Sequence, residues 1–305
     1  MPGKFGKRLL TRYCRDCDMD FIRKTLTVPA AILINIVLLN LTFVSSVLAL
    51  EKINVGVSVL PQAYFVERIG GQRVCAQVLL PPSANHEIYE PTPRQLREMS
   101  NVKIYFKLGD AALFPFEERC LDFLSSKKDK VKIVNMSEGL TKDREDPHVW
   151  LSVSVVKGAA ENICQALGAT DPVNKEYYRK NLDVFLNDIQ KLENHIRKTL
   201  AGKEGCYFMV FHPAWGYFAR NYGLNQLAIE EEGKPVNAFH IKKMIDVAKK
   251  KGIKVIFVQK GFDSKSAGAI ARQIGGKLQE VDPLDKDWLN NMKRFADLLS
   301  PALRR

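Results

Sequence analysis

Apolar and polar positions change their period several times along this 305-residue chain. Short apolar runs at residues 53–60, 74–80, 102–108 and 131–135 read as strands. A helix is expected near residues 63–70. Thr92-Pro93 opens another, with threonine as N-cap and proline at the first helical position. Val155, Val156, Ala159, Ala160, Ile163 and Leu167 recur at helical spacing. The longest periodic segment follows. Tyr178, Leu182, Phe185, Ile189, Leu192, Ile196 and Leu200 form one apolar stripe on a helix over residues 174–200. At about 1.5 Å per residue it is roughly 40 Å long, enough to run the length of a two-domain molecule. Beyond Gly202 the alternation resumes, with strands at 206–211, 224–229, 253–258 and 277–281 and helices at 241–251 and 267–274. The pattern predicts an α/β fold of two Rossmann-like lobes with mainly parallel sheets, joined by one long backbone helix. The lobes are expected at residues 50–173 and 202–305, with the linking helix at 174–201.

The N-terminus departs from this pattern. Lys4, Lys7, Arg8, Arg12, Arg15, Arg23 and Lys24 precede an uncharged run from Thr25 to Leu50. Val47 and Ala49 place small residues at a cleavage site after Ala49, so residues 1–49 read as a secretory signal peptide. A start at Met19 would give a signal of ordinary length. Cys14 and Cys17, a C-x-x-C pair, lie upstream of that start and are given no role. Removing the signal takes away seven cations and three acids, so the formal charge falls from +12 to +8. Lys127-Lys128 and Lys249-Lys250-Lys251 read as solvated helix ends, and nucleic acid is a poor partner for an exported protein. Cys75, Cys120, Cys164 and Cys206 remain. Each sits in an apolar strand or helix pattern, as a buried free thiol would, and any pairing among them stays open. No cysteine follows the cleavage site, so a soluble periplasmic monomer of a Gram-negative cell is expected rather than a lipid-anchored one.

Export leaves one concentration of chemistry. The chain has five histidines. His86, His148 and His212 stand in loop-like contexts just beyond apolar runs, and Asp282 ends the last predicted strand. The gaps between these four are 62, 64 and 70 residues, so separate parts of the fold send them to one point. In α/β sheets, ligands bind beyond the carboxyl ends of the strands. Two of the four come from each half, which puts the point in the cleft between the lobes. Three imidazoles and one carboxylate suit a tetrahedral divalent metal, above all Zn²⁺. Four protein ligands close the shell, which argues for capture rather than catalysis. No nucleophile elbow, phosphate loop or H-E-x-x-H motif is present. His195 and His240 read as surface residues. Asp110, Glu230, Glu231 and Glu232 could approach the cleft but fit solvated loops equally well.

Four segments carry a resemblance: His86-Glu87-Ile88-Tyr89-Glu90-Pro91-Thr92-Pro93, Asp146-Pro147-His148-Val149-Trp150-Leu151, Phe211-His212-Pro213-Ala214-Trp215-Gly216-Tyr217-Phe218 and Val281-Asp282-Pro283-Leu284. Together they resemble the metal-binding solute-binding proteins of ABC importers, the zinc and manganese cluster (ZnuA/TroA-like). The likeness runs over residues 53–303. It implies metal ligands at His86, His148, His212 and Asp282, and an inner-membrane ABC permease as partner. It also implies zinc as the transported ion, since zinc members place histidine at the third position where manganese members tend to glutamate. Manganese or iron(II) uptake is the alternative within the class, and a zinc hydrolase the alternative outside it. Two departures stand out. The loop over residues 137–146 is short and lacks histidine, and Gln259 stands where the family usually has glutamate. Some zinc members use water in place of the aspartate, so Asp282 is the ligand most open to replacement.

Overall fold

The computed structural model describes residues 52–109, 114–126, 130–140, 146–230, 237–259 and 264–304. The signal peptide read at residues 1–49, its Cys14–Cys17 pair and the Lys127-Lys128 cluster lie outside them. Strands β1 (Ile53–Val57), β2 (Val74–Val78), β3 (Ile104–Lys107) and β4 (Lys132–Asn135) form one parallel sheet in the order β2-β1-β3-β4. Strands β5 (Tyr207–Val210), β6 (Asn225–Ala228), β7 (Val255–Gln259) and β8 (Lys277–Val281) form a second in the order β6-β5-β7-β8. The two halves therefore repeat one topology. In each, the strand order reverses beside the first strand of the half, and this opens a crevice at the carboxyl ends.

Helices α1 (Leu60–Gly70), α2 (Pro93–Met99), α3 (Pro115–Ser125) and α4 (Val153–Thr170) surround the first sheet. The first apolar run stops being a strand at Val57 because a side chain intervenes. Gln62 Oε1 accepts from the Ser58 and Val59 amides at 2.8 and 3.1 Å, which starts α1 three residues before the apolar pattern alone suggests. Its Nε2 donates to the Phe106 carbonyl at 3.0 Å, tying the end of β1 to the end of β3. Thr92 caps α2 in a box with Gln95, as expected from Thr92-Pro93.

The linking helix, α5, spans Lys175–Thr199. Tyr178, Phe185, Ile189, Leu192 and Ile196 of its stripe are buried. Near its start Asn181 donates to the Ile69 carbonyl of the first half. At its end the Thr199 carbonyl accepts from Ser300 of the second. That second half carries α6 (Gly216–Asn221), α7 (Ala238–Lys250), α8 (Ser264–Gln273) and α9 (Trp288–Leu299).

One apolar core runs through both halves, from Val55 and Phe65 to Trp215, Trp288 and Phe295. A smaller core around Met209, Met244, Ile256 and Ile270 packs α7 and α8 on the far face of the second sheet. Two indoles stitch the halves together: Trp150 Nε1 donates to the Pro283 carbonyl, and Trp288 Nε1 to the Trp150 carbonyl, each at 2.7 Å. Both rings are buried, so these bonds stand in a low-dielectric setting that strengthens them.

The four described cysteines are free thiols. Cys120 and Cys206 are buried as expected. Cys164 is only partly covered, and Cys75 is exposed, because β2 is an edge strand and alternation turns Cys75 outward. Among the described residues no helix is long and apolar enough to cross a membrane.

Candidate metal centre

The three predicted histidines converge. His86 sits in the irregular segment between β2 and α2, His148 in the segment between β4 and α4, and His212 two residues beyond β5. Their Nε2 atoms form a triangle with all three sides 3.2 Å. Nitrogens at about 2.0–2.1 Å from one ion with tetrahedral angles stand about 3.3 Å apart. The triangle therefore has the size of one face of a zinc tetrahedron. All three side chains are almost fully buried.

Two of the three tautomers, those of His148 and His212, are set from behind. Asp146 Oδ1 accepts from His148 Nδ1 at 2.9 Å and from the His148 amide at 3.0 Å. Glu230 Oε2 accepts from His212 Nδ1 at 2.9 Å. A proton held on Nδ1 leaves the Nε2 lone pair facing the centre of the triangle. Gly216 makes room for Asp146, since a Cβ there would come within 2.6 Å of its Oδ2. Phe114 stands edge-on to His86 at 4.9 Å between ring centroids, and Trp150 packs 5.3 Å from His148. These rings keep water from the inner side of the site.

Burial first, then the neighbouring His148 and His212, hold His86 well below the usual histidine range. Burial also lowers His148, against the opposing pull of Asp146. Both are thus neutral at pH 7, as metal ligands must be. Burial raises Asp146, but its bonds to His148 and the nearby Arg220 outweigh this and hold it below the usual carboxylate range. It remains an anion behind its histidine.

The carboxylate nearest the triangle is not the one read in the sequence. The ligand atoms that lie within 4.8 Å of one another belong to His86, Glu87, His148 and His212. Glu87 Oε1 is 3.5 Å from His86 Nε2 and 3.3 Å from His212 Nε2. The Asn85 side chain turns it inward, accepting from the Glu87 amide at 2.9 Å. Asp282 is not brought into this group. Its Oδ1 accepts from the Leu284 amide at 2.8 Å, its carbonyl accepts from Asn291 at 2.6 Å, and it lines an adjoining cavity of about 280 Å³ with Pro81, Ala84, Gln259 and Lys286. Of the acids considered from sequence, Glu230 is placed behind His212, while Asp110, Glu231 and Glu232 lie outside the described residues. His195 pairs with Asp297 near the surface and His240 sits in the first turn of α7, both away from the cluster.

Comparison with known proteins gives the family. The chain matches the family model of the periplasmic zinc-uptake complex component A, ZnuA, over residues 55–302. The high-affinity zinc uptake system protein ZnuA of Bacillus subtilis is 26% identical over 281 residues, covering 83% of this chain and 88% of that protein. A crystal structure of ZnuA is similar with a TM-score of 0.78 at 36% identity, covering 83% of this chain and 99% of the other. A zinc-bound ZnuA deletion mutant gives a TM-score of 0.77 at 35% identity, covering 84% and 99%.

Proposed function

Since the chain belongs to the ZnuA family of zinc-uptake components, we propose that it captures Zn²⁺ in the periplasm, between its two lobes, and delivers it to an inner-membrane ABC permease. It is a solute-binding component and not an enzyme. The observation that carries the reading is the triangle of Nε2 atoms with 3.2 Å sides. It fits a small tetrahedral ion bound by nitrogen and fits poorly the near-octahedral oxygen shell of manganese.

His86, His148 and His212 supply three neutral donors. Glu87 supplies the fourth and one negative charge. Asp282, the fourth donor read from sequence, borders the cavity beside the segment that leads to His86 and is the alternative at that vertex. Asp146 and Glu230 do not touch the ion in this reading; they fix the rings that do. Glu87 is the more exposed donor, at 22% against 0–4% for the histidine side chains, which places the open side of the site there. The ion is cargo and must leave again, so an accessible carboxylate at one vertex gives it a route that three buried imidazoles do not.

Isothermal titration of the metal-free protein with zinc tests the reading. One ion per chain is expected, with binding weakened at least 100-fold in His212→Ala and Mn²⁺ unable to displace zinc at equal concentration. Unchanged zinc affinity in His212→Ala, or preference for Mn²⁺, would overturn it.

A further inference from the structure

The second lobe carries a cationic face that the metal site does not use. It lies at the end of the sheet opposite His212, where the strands begin. Lys249 and Lys250 end α7, Lys251 follows them, Lys254 precedes β7, Lys277 opens β8, and Arg304 lies near the chain's end. Lys249, Lys250, Lys251 and Arg304 line an open groove of about 500 Å³ whose one carboxylate is Glu204. The Lys251 ammonium sits 3.8 Å over the Tyr207 ring on the groove's floor. The Lys277 amide donates to the Lys254 carbonyl at 2.8 Å, so two cationic residues open neighbouring strands.

Among the described residues none of these six cations is in an ion pair. Several cations on other elements do pair. Arg68 pairs with Asp188, Lys157 and Arg197 with Glu193, Arg220 with Asp146, Lys286 with Glu67 and Arg294 with Asp285. The carbonyl end of α7 favours cations and accounts for part of the lysine run. Lys254 likewise donates to the Ile274 carbonyl just past α8, but neither helix end accounts for Lys277 or Arg304, which stand on other elements. Like charges gathered around a single carboxylate are unfavourable unless something anionic meets them.

We propose that this face binds the surface of an anionic phospholipid membrane. The groove is wide and its cations come from several elements, so it suits an array of headgroups rather than one buried anion. The choice of a membrane rests on the reading above, in which the protein works beside an inner-membrane permease. β5 separates the face from His212 by roughly 17 Å. Membrane contact there leaves the metal site unobstructed and keeps the carrier near the bilayer in which its permease sits.

Co-sedimentation of the zinc-loaded protein with vesicles tests this. Binding is expected to vesicles of phosphatidylcholine with phosphatidylglycerol and not to phosphatidylcholine alone, with release as salt rises from about 0.1 M to about 0.5 M. The triple variant Lys249→Glu, Lys250→Glu, Lys251→Glu should bind at least tenfold more weakly and keep its zinc affinity. The pair Lys254→Glu, Lys277→Glu gives a second, independent disruption and should also weaken binding. Equal binding to both vesicle types, wild-type binding by both variants, or tighter binding to duplex DNA than to the anionic vesicles would overturn the proposal. Zinc titration of the same samples reads the capture function separately, so failure of one is distinguishable from failure of the other.

Discussion

Asp146→Ala removes a group that touches no ion in this account yet holds one of the ligands. The carboxylate accepts two hydrogen bonds from His148, at 2.9 Å from Nδ1 and 3.0 Å from the amide. Alanine leaves both donors buried with that acceptor gone, frees the ring to turn, and takes away the charge that makes Nε2 a better donor. Loss of such an outer partner weakens metal binding roughly 10- to 100-fold, or about 1.4–2.7 kcal/mol. Asp146→Asn keeps an oxygen acceptor but not the charge, and should fall between the wild type and alanine. Arg220→Ala removes the cation on the carboxylate's exposed side, at 3.3 Å. A surface pair of this kind contributes at most about 1 kcal/mol, so its effect on zinc should be small. Competitive titration against a zinc chelator at neutral pH measures all three. An Asp146→Ala affinity within twofold of wild type would refute the claim that the site is oriented from behind.

Four other outcomes are expected. Because His86 and His148 both titrate below the usual histidine range, zinc affinity should hold down to about pH 6.5 and fall below it; a chelator competition series that falls steeply between pH 8 and 7 would contradict this. For the metal-free protein the sign follows from the same shifts: below about pH 6.5 the unfolded chain binds more protons, so stability is lost as pH falls towards the folded values. Glu117 has the opposite sign. Burial raises it to about 7, against the opposing bonds from Ser58 and the Leu108 amide, and its Oε2 has no hydrogen-bond partner among the described residues. Its contribution to stability is therefore lost as pH rises from about 4.5 to about 7, and Glu117→Gln should be more stable than wild type at pH 8 by up to about 3 kcal/mol with little difference at pH 4, measured by urea unfolding. At the fourth vertex, Glu87→Gln should weaken zinc at least tenfold and Asp282→Asn much less; the reverse order would assign the vertex to Asp282.

Most of the fold could be read from periodicity. The stripe from Tyr178 to Leu200 and the eight strands follow from apolar spacing, because parallel strands covered on both faces and a half-buried helix have different periods. Helices α3, α6 and α9 were not anticipated. Each lies among aromatic residues, whose burial supplies the driving force that local pattern does not reveal. α3 matters most, since Phe114 just before it lies against His86. The three histidines were legible because each stands beyond a strand. Glu87 was passed over although it adjoins His86, for two neighbours in a chain do not usually face one point; the Asn85 turn makes them do so. That turn was the available signal. Asp146 gave a fainter one, two residues before His148, where an aspartate can bond both the amide and the ring. Nothing in sequence spacing marked Glu230 as the partner of His212 above its acidic neighbours, because the pairing depends on how β6 lies beside β5.

X-ray absorption at the zinc edge of the zinc-loaded protein tests the central claim most directly. Four nitrogen or oxygen neighbours at about 2.0–2.1 Å, with the scattering of three imidazoles, are predicted. A sulfur shell near about 2.3 Å, a six-coordinate oxygen-rich shell, or fewer than three imidazoles would contradict it.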